Sequence, residues 1–161
     1  MGLGHTLAMK IRHATTHDVQ AINELILDSA ERDRMLFRSI ADIYEHLQTF
    51  FVAEEAGSLL GCCALDVIWS DLAEVKSLAV SEQARGRGVG RQLVASAVDM
   101  ARDLHIDRVF ALTLEPVFFD RVGFHEVAKE TLPMKVWRDC ARCPKQQECD
   151  EIAVLKTVVS D

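Results

Sequence analysis

A glycine-rich junction, R-G-R-G-V-G at residues 85–90, joins the strand-like run of residues 74–80 to a helical pattern that begins at Arg91. Glycines let the backbone approach a ligand closely. A helix that begins there directs unpaired N–H groups and a partial positive charge at that ligand. Arginines at positions 85, 87 and 91 strengthen the field. The junction therefore predicts a turn that binds an anion such as a pyrophosphate.

The spacing of this junction excludes two other glycine loops. A dinucleotide-binding G-x-G-x-x-G loop needs a glycine where Arg91 stands, and a Walker loop needs glycine at that position and a lysine after it. The remaining pattern is R-x-x-G-x-G, from Arg85 through Gly88 to Gly90. With Ser77-Leu78-Ala79-Val80 before it and an apolar helix after it, this pattern resembles the acyl-coenzyme A loop of the GNAT family of N-acetyltransferases. A plain strand-to-helix turn is the alternative.

Composition is typical of one compact enzyme domain. The chain has 161 residues, of which 49% are apolar and 27% charged. We expect a disordered extension over residues 1–8 and a single domain over residues 9–161. The net charge of −7 argues against a nucleic-acid partner, which needs a basic face. Apolar runs fall short of the ~20 residues of a membrane span, which predicts a cytoplasmic protein without membrane contact.

Apolar periodicity predicts the element order β-α-α-β-β-β-α-β-α-β-β, an α+β fold. The predicted strands are residues 10–14, 50–55, 59–68, 72–80, 108–114, 124–127 and 152–158. The predicted helices are residues 18–30, a segment from Ser39, residues 91–105 and a segment from Pro116. Leu104 belongs to the core-facing stripe predicted for the third helix. The resemblance implies the GNAT fold, a mixed and mostly antiparallel sheet of six to seven strands flanked by helices.

Two charged residues on the strand before the loop are candidates for chemistry. The resemblance puts the general base on this strand, which makes it Glu74; a carboxylate at a partly buried position accepts a proton from an ammonium directly or through water. An exposed strand carboxylate is the alternative. Lys76 shares the face of Glu74. It either binds an acidic substrate or forms a cross-strand ion pair.

The resemblance also implies how acetyl-coenzyme A, the co-substrate, is bound. The backbone N–H of Leu78 or Ala79 faces the oxyanion, and the segment to Val80 pairs with the pantetheine arm. The residues expected on the pyrophosphate are Arg85, Gly86, Arg87, Gly88, Val89, Gly90 and Arg91. Many members have a tyrosine where this chain has Phe119, so we assign no general acid. Phe118 and Phe119 are expected to pack against the sheet and the coenzyme.

Two further segments indicate the acceptor. Residues 35–39 and the tail from Leu132 to Glu151 resemble short, single-domain bacterial N-acetylglutamate synthases. That resemblance implies that Arg38 grips the α-carboxylate of L-glutamate in the first step of arginine biosynthesis, and that the enzyme is a homodimer. A solvated arginine at a helix entry is the alternative. Glu115 stands where longer synthases carry a cation, so another small amine remains open as the acceptor.

Non-catalytic interpretations remain open as well. The missing tyrosine is compatible with a sensor that binds acyl-coenzyme A or arginine without turnover. Cys140, Cys143 and Cys149 form a candidate zinc cluster with His125, which would make the chain a zinc-stabilised partner module. Three thiolates need a fourth ligand, for which His125 is the only nearby histidine in sequence, and a cytoplasmic enzyme keeps its thiols reduced. We therefore expect reduced thiols and no metal.

Overall fold

The strands and helices of the computed structural model, which describes residues 9–31, 38–133 and 151–158, follow the predicted order. The strands are β1 (Lys10–His13), β2 (Phe50–Glu55), β3 (Ser58–Trp69), β4 (Leu72–Val80), β5 (Arg108–Thr113), β6 (His125–Val127) and β7 (Ile152–Thr157). The helices are α1 (Val19–Glu31), α2 (Ile40–Glu45), α3 (Val89–Asp103) and α4 (Pro116–Arg121). The predicted extension, residues 35–37 and the three zinc-candidate cysteines lie outside the described residues.

Seven strands form one mixed sheet in the order β1-β2-β3-β4-β5-β7-β6. Strands β4 and β5 are parallel and pair from Leu72 with Arg108 to Glu74 with Phe110. The β1/β2, β2/β3, β5/β7 and β6/β7 pairs are antiparallel. The predicted α+β class and mostly antiparallel sheet are therefore confirmed. No helix in the described part of the chain combines the length and hydrophobicity that a membrane crossing requires.

The first of two compact units contains the described residues up to Ala64 together with Ser77–Ala97. Its core joins α1 and α2 to β2, β3 and β4 through buried apolar side chains: Val19, Ile22, Ile26, Ile43, Phe50, Val52, Cys62, Ala64 and Ala79. A Cβ at Gly61 would lie 2.9 Å from the Ala79 carbonyl oxygen and 3.1 Å from a methyl carbon of Val89. Glycine on β3 therefore lets β4 and the start of α3 approach closely.

The second unit contains Leu65–Lys76 and the described residues from Val98 onward. Its core is built from Leu72, Phe110, Leu132 and Ala153. Helix α4 begins with Pro116, where the missing N–H costs nothing. Gly123, with φ at +94°, ends the turn that follows α4. The single domain from residue 9 to 161 stays a prediction.

Helix α3 differs from its predicted boundaries at both ends. It begins at Val89 rather than Arg91 and ends at Asp103. The prediction that Leu104 faces the core is wrong, since this side chain is 48% exposed. His105 adopts a left-handed φ of +62°, and the Ile106 N–H donates to the Ala101 carbonyl. This C-terminal motif turns the chain so that Ile106 takes the buried position instead.

A buried carboxylate fixes the entry to α1. Arg12 donates from Nη1 and Nη2 to the two oxygens of Asp18, at 2.7 and 2.9 Å. The Thr15 N–H donates to the same carboxylate at 2.7 Å. Arg12 also reaches Glu54 at 2.9 Å. The hydrogen bond from Arg12, followed by that of Thr15, lowers the pKa of Asp18 against the opposing effect of burial.

We predict that Asp18→Asn lowers the free energy of unfolding by about 2 kcal/mol, because the hydrogen bonds from Arg12 lose their charge assistance. Arg12 holds the pKa of Asp18 below its usual value of about 3.9, so its stabilising effect is present above that pH. It is lost as the pH falls through the lower pKa of the native state. Urea denaturation across the acid range measures both effects.

Glu24→Gln, at an exposed position on α1, is the matched control for this substitution. The difference between wild type and Asp18→Asn should stay constant above about pH 5 and shrink in stronger acid. A difference no larger than that of the control at neutral pH would contradict a stabilising role for Asp18.

Candidate active site

The glycine-rich junction forms an exposed turn between β4 and α3. A short 3-10 turn, Glu82–Ala84, follows β4 and leads into residues 85–88, all of which are exposed. Gly86 and Gly88 have φ values of +83° and +81°. A Cβ at either position would meet no atom within 4 Å. Glycine is therefore favoured here by the left-handed backbone rather than by lack of space.

The first turn of α3 presents its backbone amides next to this loop. The Gly88 carbonyl accepts the Gln92 N–H at 3.1 Å, so the amides of residues 89–91 precede the first full helical hydrogen bond. Glycine at position 88 has no side chain with which to cap them. Arg85, Arg87 and Arg91 are exposed around this turn. The positive end of the α3 dipole and these cations together favour a bound anion.

Arg87 forms an ion pair with an acidic side chain of β2. The Nη2 of Arg87 lies 2.6 Å from a carboxylate oxygen of Glu55, the last residue of β2. An ion pair of this exposure is worth at most about 1 kcal/mol. The ion pair therefore keeps the Arg87 side chain near the loop. A bound diphosphate can replace Glu55 as its partner, because so little free energy is lost when the pair breaks.

The backbone amides at the C-terminal end of β4 point alternately toward β3 and away from it. The Ser81 N–H donates to the Leu60 carbonyl at 2.8 Å, and the Ala79 N–H contacts the Cys62 thiol. Both amides thus face β3. Because successive N–H groups of a strand alternate in direction, those of Leu78 and Val80 point away from β3.

Glu74 and Lys76 lie on β4 within the second unit. Glu74 is 7% exposed and lies opposite Phe110 of β5, so the alternative of an exposed strand carboxylate is wrong. The Lys76 ammonium lies 3.3 Å from an Asp66 carboxylate oxygen, and both side chains are largely buried. The structure therefore supports the ion-pair interpretation of Lys76, and its contact with a substrate stays a prediction.

Arg38 is held by side chains from three directions. Its Nε lies 2.5 Å from a carboxylate oxygen of Asp42, and its Nη1 donates to the Ser77 hydroxyl at 2.8 Å. The guanidinium carbon lies 5.1 Å from the centre of the Phe50 ring. The side chain is only 12% exposed, so the alternative of a solvated arginine is wrong. Sequence reasoning missed both polar partners, although the i, i+4 spacing of Arg38 and Asp42 is a usable signal.

Ser77 has an unusual backbone for a strand residue. Its φ is +56°, in the left-handed region that non-glycine residues rarely adopt, and the residue is buried. Its carbonyl oxygen lies 3.5 Å from the Cys62 sulfur. Ser77 follows the Leu72–Glu74 segment that pairs with β5 by three residues. The strand therefore leaves regular geometry just before Leu78.

The remaining predicted site residues lie on and before α4. Phe118 is half-buried and meets the buried Phe119 edge to face, with ring centres 5.1 Å apart. Phe119 meets Phe124 in the same way, which supports a packing role for Phe119. Glu115 is exposed, and its N–H donates to the Thr113 hydroxyl at 2.8 Å. Contact of Phe118 with the coenzyme stays a prediction.

Two buried cysteines and a cluster of possible metal ligands are the other reactive groups considered among the described residues. Burial raises the pKa of the Cys62 thiol to about 12 and also raises that of Cys63. Both are therefore neutral thiols at physiological pH and poor nucleophiles. Asp42, Glu45 and His46 bring three metal-ligand atoms within 4.8 Å of one another. Because Asp42 contacts Arg38, we assign this carboxylate to the arginine instead.

Comparison with known proteins gives the family. The model of the acetyltransferase (GNAT) family matches residues 2–127. An uncharacterised N-acetyltransferase from Chlorobaculum tepidum is 44% identical over 148 residues, which cover 92% of this chain and 96% of that protein. The amino-acid acetyltransferase of Mycobacterium tuberculosis is 38% identical over 135 residues, covering 82% of this chain and 77% of its own length.

A solved structure agrees with these matches. The N-acetylglutamate synthase of Neisseria gonorrhoeae, crystallised with coenzyme A and N-acetyl-glutamate, superposes with a TM-score of 0.86 at 30% identity. The match covers 94% of this chain and 35% of the synthase chain. The family model and both relatives match most of the length of this chain. This chain therefore belongs to the GNAT family of acetyltransferases.

Proposed function

We propose that this protein transfers an acetyl group from acetyl-coenzyme A to the α-amino group of an amino acid, with L-glutamate as the first-choice acceptor. The observation that carries the proposal is the Arg38 guanidinium, which is held 2.8 Å from Ser77 on the strand that leads to the anion-binding turn. A fixed guanidinium suits an amino-acid carboxylate. The names of the relatives support an amino-acid acceptor. With glutamate, the reaction is the first step of arginine biosynthesis.

The first turn of α3 binds the pyrophosphate of acetyl-coenzyme A. The amides of residues 89–91 and the left-handed glycines at 86 and 88 approach the phosphates without side-chain obstruction. Arg85, Arg87 and Arg91 supply positive charge. A diphosphate at a helix start gains from both the amides and the dipole.

The outward-facing amides of β4 bind the pantetheine arm and polarise the acetyl carbonyl. Leu78 and Val80 direct their N–H groups away from β3. The Ala79 amide is occupied by the Cys62 thiol, which favours Leu78 as the donor to the developing oxyanion.

Glu74 takes the proton of the acceptor ammonium, directly or through a water, so that the amine attacks in its neutral form. Its burial on β4 supports this role. We assign no general acid, because Phe119 has no hydroxyl. A thiol pKa near about 8.5 makes the coenzyme thiolate a tolerable leaving group without one.

In this proposal the acetyl group passes directly from coenzyme to amine, and neither of the two described cysteines is suited to form an acyl-cysteine. Among the described residues the two cysteines, Cys62 and Cys63, are buried and their raised pKa values keep them protonated. A ternary complex of acetyl-coenzyme A and the acceptor amine is therefore the catalytic state.

Acetylation of a different small amine is the second candidate. The exposed Glu115 carboxylate favours it, because an acidic acceptor side chain that entered beside Glu115 would be repelled. This alternative keeps the coenzyme contacts and the base and changes only the acceptor.

Thiol release with each of the twenty amino acids, at a fixed concentration of acetyl-coenzyme A, tests the proposed function. We expect release above the acceptor-free rate with L-glutamate and little with its α-carboxamide, which lacks the charge that Arg38 binds. Binding of acetyl-coenzyme A in calorimetry without thiol release from any amino acid would contradict catalysis and favour a sensor.

Glu74→Gln should lower kcat by about 10²- to 10⁴-fold, because the side chain no longer accepts a proton. The affinity for acetyl-coenzyme A should stay within about twofold of wild type, since this proposal assigns the pyrophosphate to residues 85–91 rather than to Glu74. Glu126→Gln, at an exposed glutamate of β6, is the control and should leave both parameters unchanged. Full turnover by Glu74→Gln at neutral pH would overturn the assignment of the base.

Gly88→Ala should raise the KM for acetyl-coenzyme A by about tenfold, because a Cβ strains the left-handed backbone that presents the α3 amides. Gly57 provides a matched control: it also has φ at +81°, also has open space around a Cβ, and lies in the turn between β2 and β3. Gly57→Ala should lower stability by a similar amount and leave this KM unchanged. Equal effects of both substitutions on KM would contradict a ligand role for the loop.

A further inference from the structure

The position of the Arg38 guanidinium is set by groups that sequence reasoning did not assign to the site. Asp42, in the first turn of α2, accepts from Nε at 2.5 Å. Ser77 accepts from Nη1 at 2.8 Å. A guanidinium carries five N–H donors, and these two contacts use one on each of two nitrogens. Within the described residues, Nη2 keeps its donors for another acceptor.

The other carboxylate oxygen of Asp42 has a histidine neighbour. Nδ1 of His46, one helical turn along the chain, lies 3.1 Å from this oxygen and 2.9 Å from the backbone carbonyl oxygen of Asp42. The Asp42 N–H donates to the Ser39 hydroxyl, which caps α2. The carboxylate therefore projects from an anchored helix start. Its orientation toward Arg38 is part of the α2 fold rather than a chance surface contact.

Ser77 adopts a backbone conformation that costs free energy, and the contact of its side chain offers a reason for serine at this position. A left-handed φ costs roughly 1–2 kcal/mol for a residue with a Cβ, and glycine adopts it freely. Serine nevertheless stands there, buried, with its hydroxyl on Arg38. The hydroxyl links the guanidinium to the residue immediately before Leu78, whose amide points away from β3 in the proposed function.

We propose that Ser77 and Asp42 are positioning residues that orient the Arg38 guanidinium for the carboxylate of the acceptor. This inference rests on the proposed function and identifies what determines the acceptor carboxylate's position. Asp42 accepts a hydrogen bond from Nε of Arg38, and Ser77 accepts one from Nη1. The ring of Phe50 lies against the guanidinium group. An arginine oriented in advance loses less conformational entropy when its carboxylate ligand binds. Neither Ser77 nor Asp42 needs to touch the substrate.

Steady-state kinetics of the full chain with L-glutamate and acetyl-coenzyme A test this proposal. Ser77→Ala removes the hydroxyl and keeps the strain, whereas Ser77→Gly removes the hydroxyl and tolerates the left-handed backbone. Both should raise the acceptor KM by about tenfold and leave kcat and the KM for acetyl-coenzyme A within about twofold. If Ser77→Ala fails to fold, Ser77→Gly still decides the question. Ser58→Ala, at an exposed serine of β3, is the control.

Two further measurements distinguish a positioning role of Ser77 from a general structural role. One uses the α-carboxamide of the acceptor, and the other uses an Arg38→Gln variant as the starting enzyme. With the carboxamide, wild type and Ser77→Gly should have the same low kcat/KM, because the charge that Arg38 binds is absent. In an Arg38→Gln background, Ser77→Gly should add no further increase in acceptor KM. Asp42→Asn should raise the acceptor KM by about tenfold, since the charge-assisted contact to Nε is weakened.

Provided that wild type acetylates L-glutamate, three outcomes would overturn the inference. One is an unchanged acceptor KM in both Ser77 variants of an enzyme that is active on L-glutamate. The second is a loss confined to kcat or to the KM for acetyl-coenzyme A, which would assign Ser77 to the backbone of β4. The third is a lower acceptor KM in Asp42→Asn, which would make Asp42 a competitor of the substrate. If wild type acetylates no amino acid, the proposed function fails and this inference fails with it.

Discussion

The start of α3 is the constraint on which the chemistry of this chain depends, because a helix must leave its first amides without helical partners. Here those amides follow a glycine that has no side chain to cap them, while Val89 and Leu93 of the same helix are buried. Gly61 on β3 leaves room for that burial. The apolar side of the first turn is thus fixed by packing, and its polar end remains presented to solvent. A diphosphate is the kind of ligand that such a rigid set of donors suits.

Strand β4 carries the other chemical groups in a short stretch of sequence. Glu74 lies where β4 pairs with β5, and Ser77 departs from strand geometry three residues later. Leu78 then directs its amide away from β3. The left-handed Ser77 therefore separates the segment that pairs with β5 from residues 78–80, which lie beyond the β4/β5 pairing seen in the described part of the chain. Because of Ser77, β4 both pairs with β5 and directs amides away from β3. The hydroxyl of Ser77 also contacts Arg38, which binds the acceptor carboxylate in the proposed function.

Local patterns were sufficient to predict much of this arrangement. The R-x-x-G-x-G spacing identified the turn, and apolar periodicity gave the correct order of strands and helices. The exposed Leu104 was mispredicted because a helix end depends on which residue can adopt a left-handed φ, and histidine is an uncommon choice for that position. The Ser77 contact was missed for a different reason. It joins residues 39 positions apart, and no local pattern encodes such a contact. Asp42 had no assigned role in the sequence-based prediction of the site, although its carboxylate accepts a hydrogen bond from Arg38.

The most direct test of the account is the response of the backbone amides to acetyl-coenzyme A in 1H–15N NMR spectra, compared with acetyl-pantetheine, which lacks the pyrophosphate. If the start of α3 binds the phosphates, the amides of Gly88, Val89, Gly90 and Arg91 shift with acetyl-coenzyme A and stay in place with acetyl-pantetheine. The Leu78 and Val80 amides respond to both ligands. Unchanged α3 amides at saturating acetyl-coenzyme A would contradict the account.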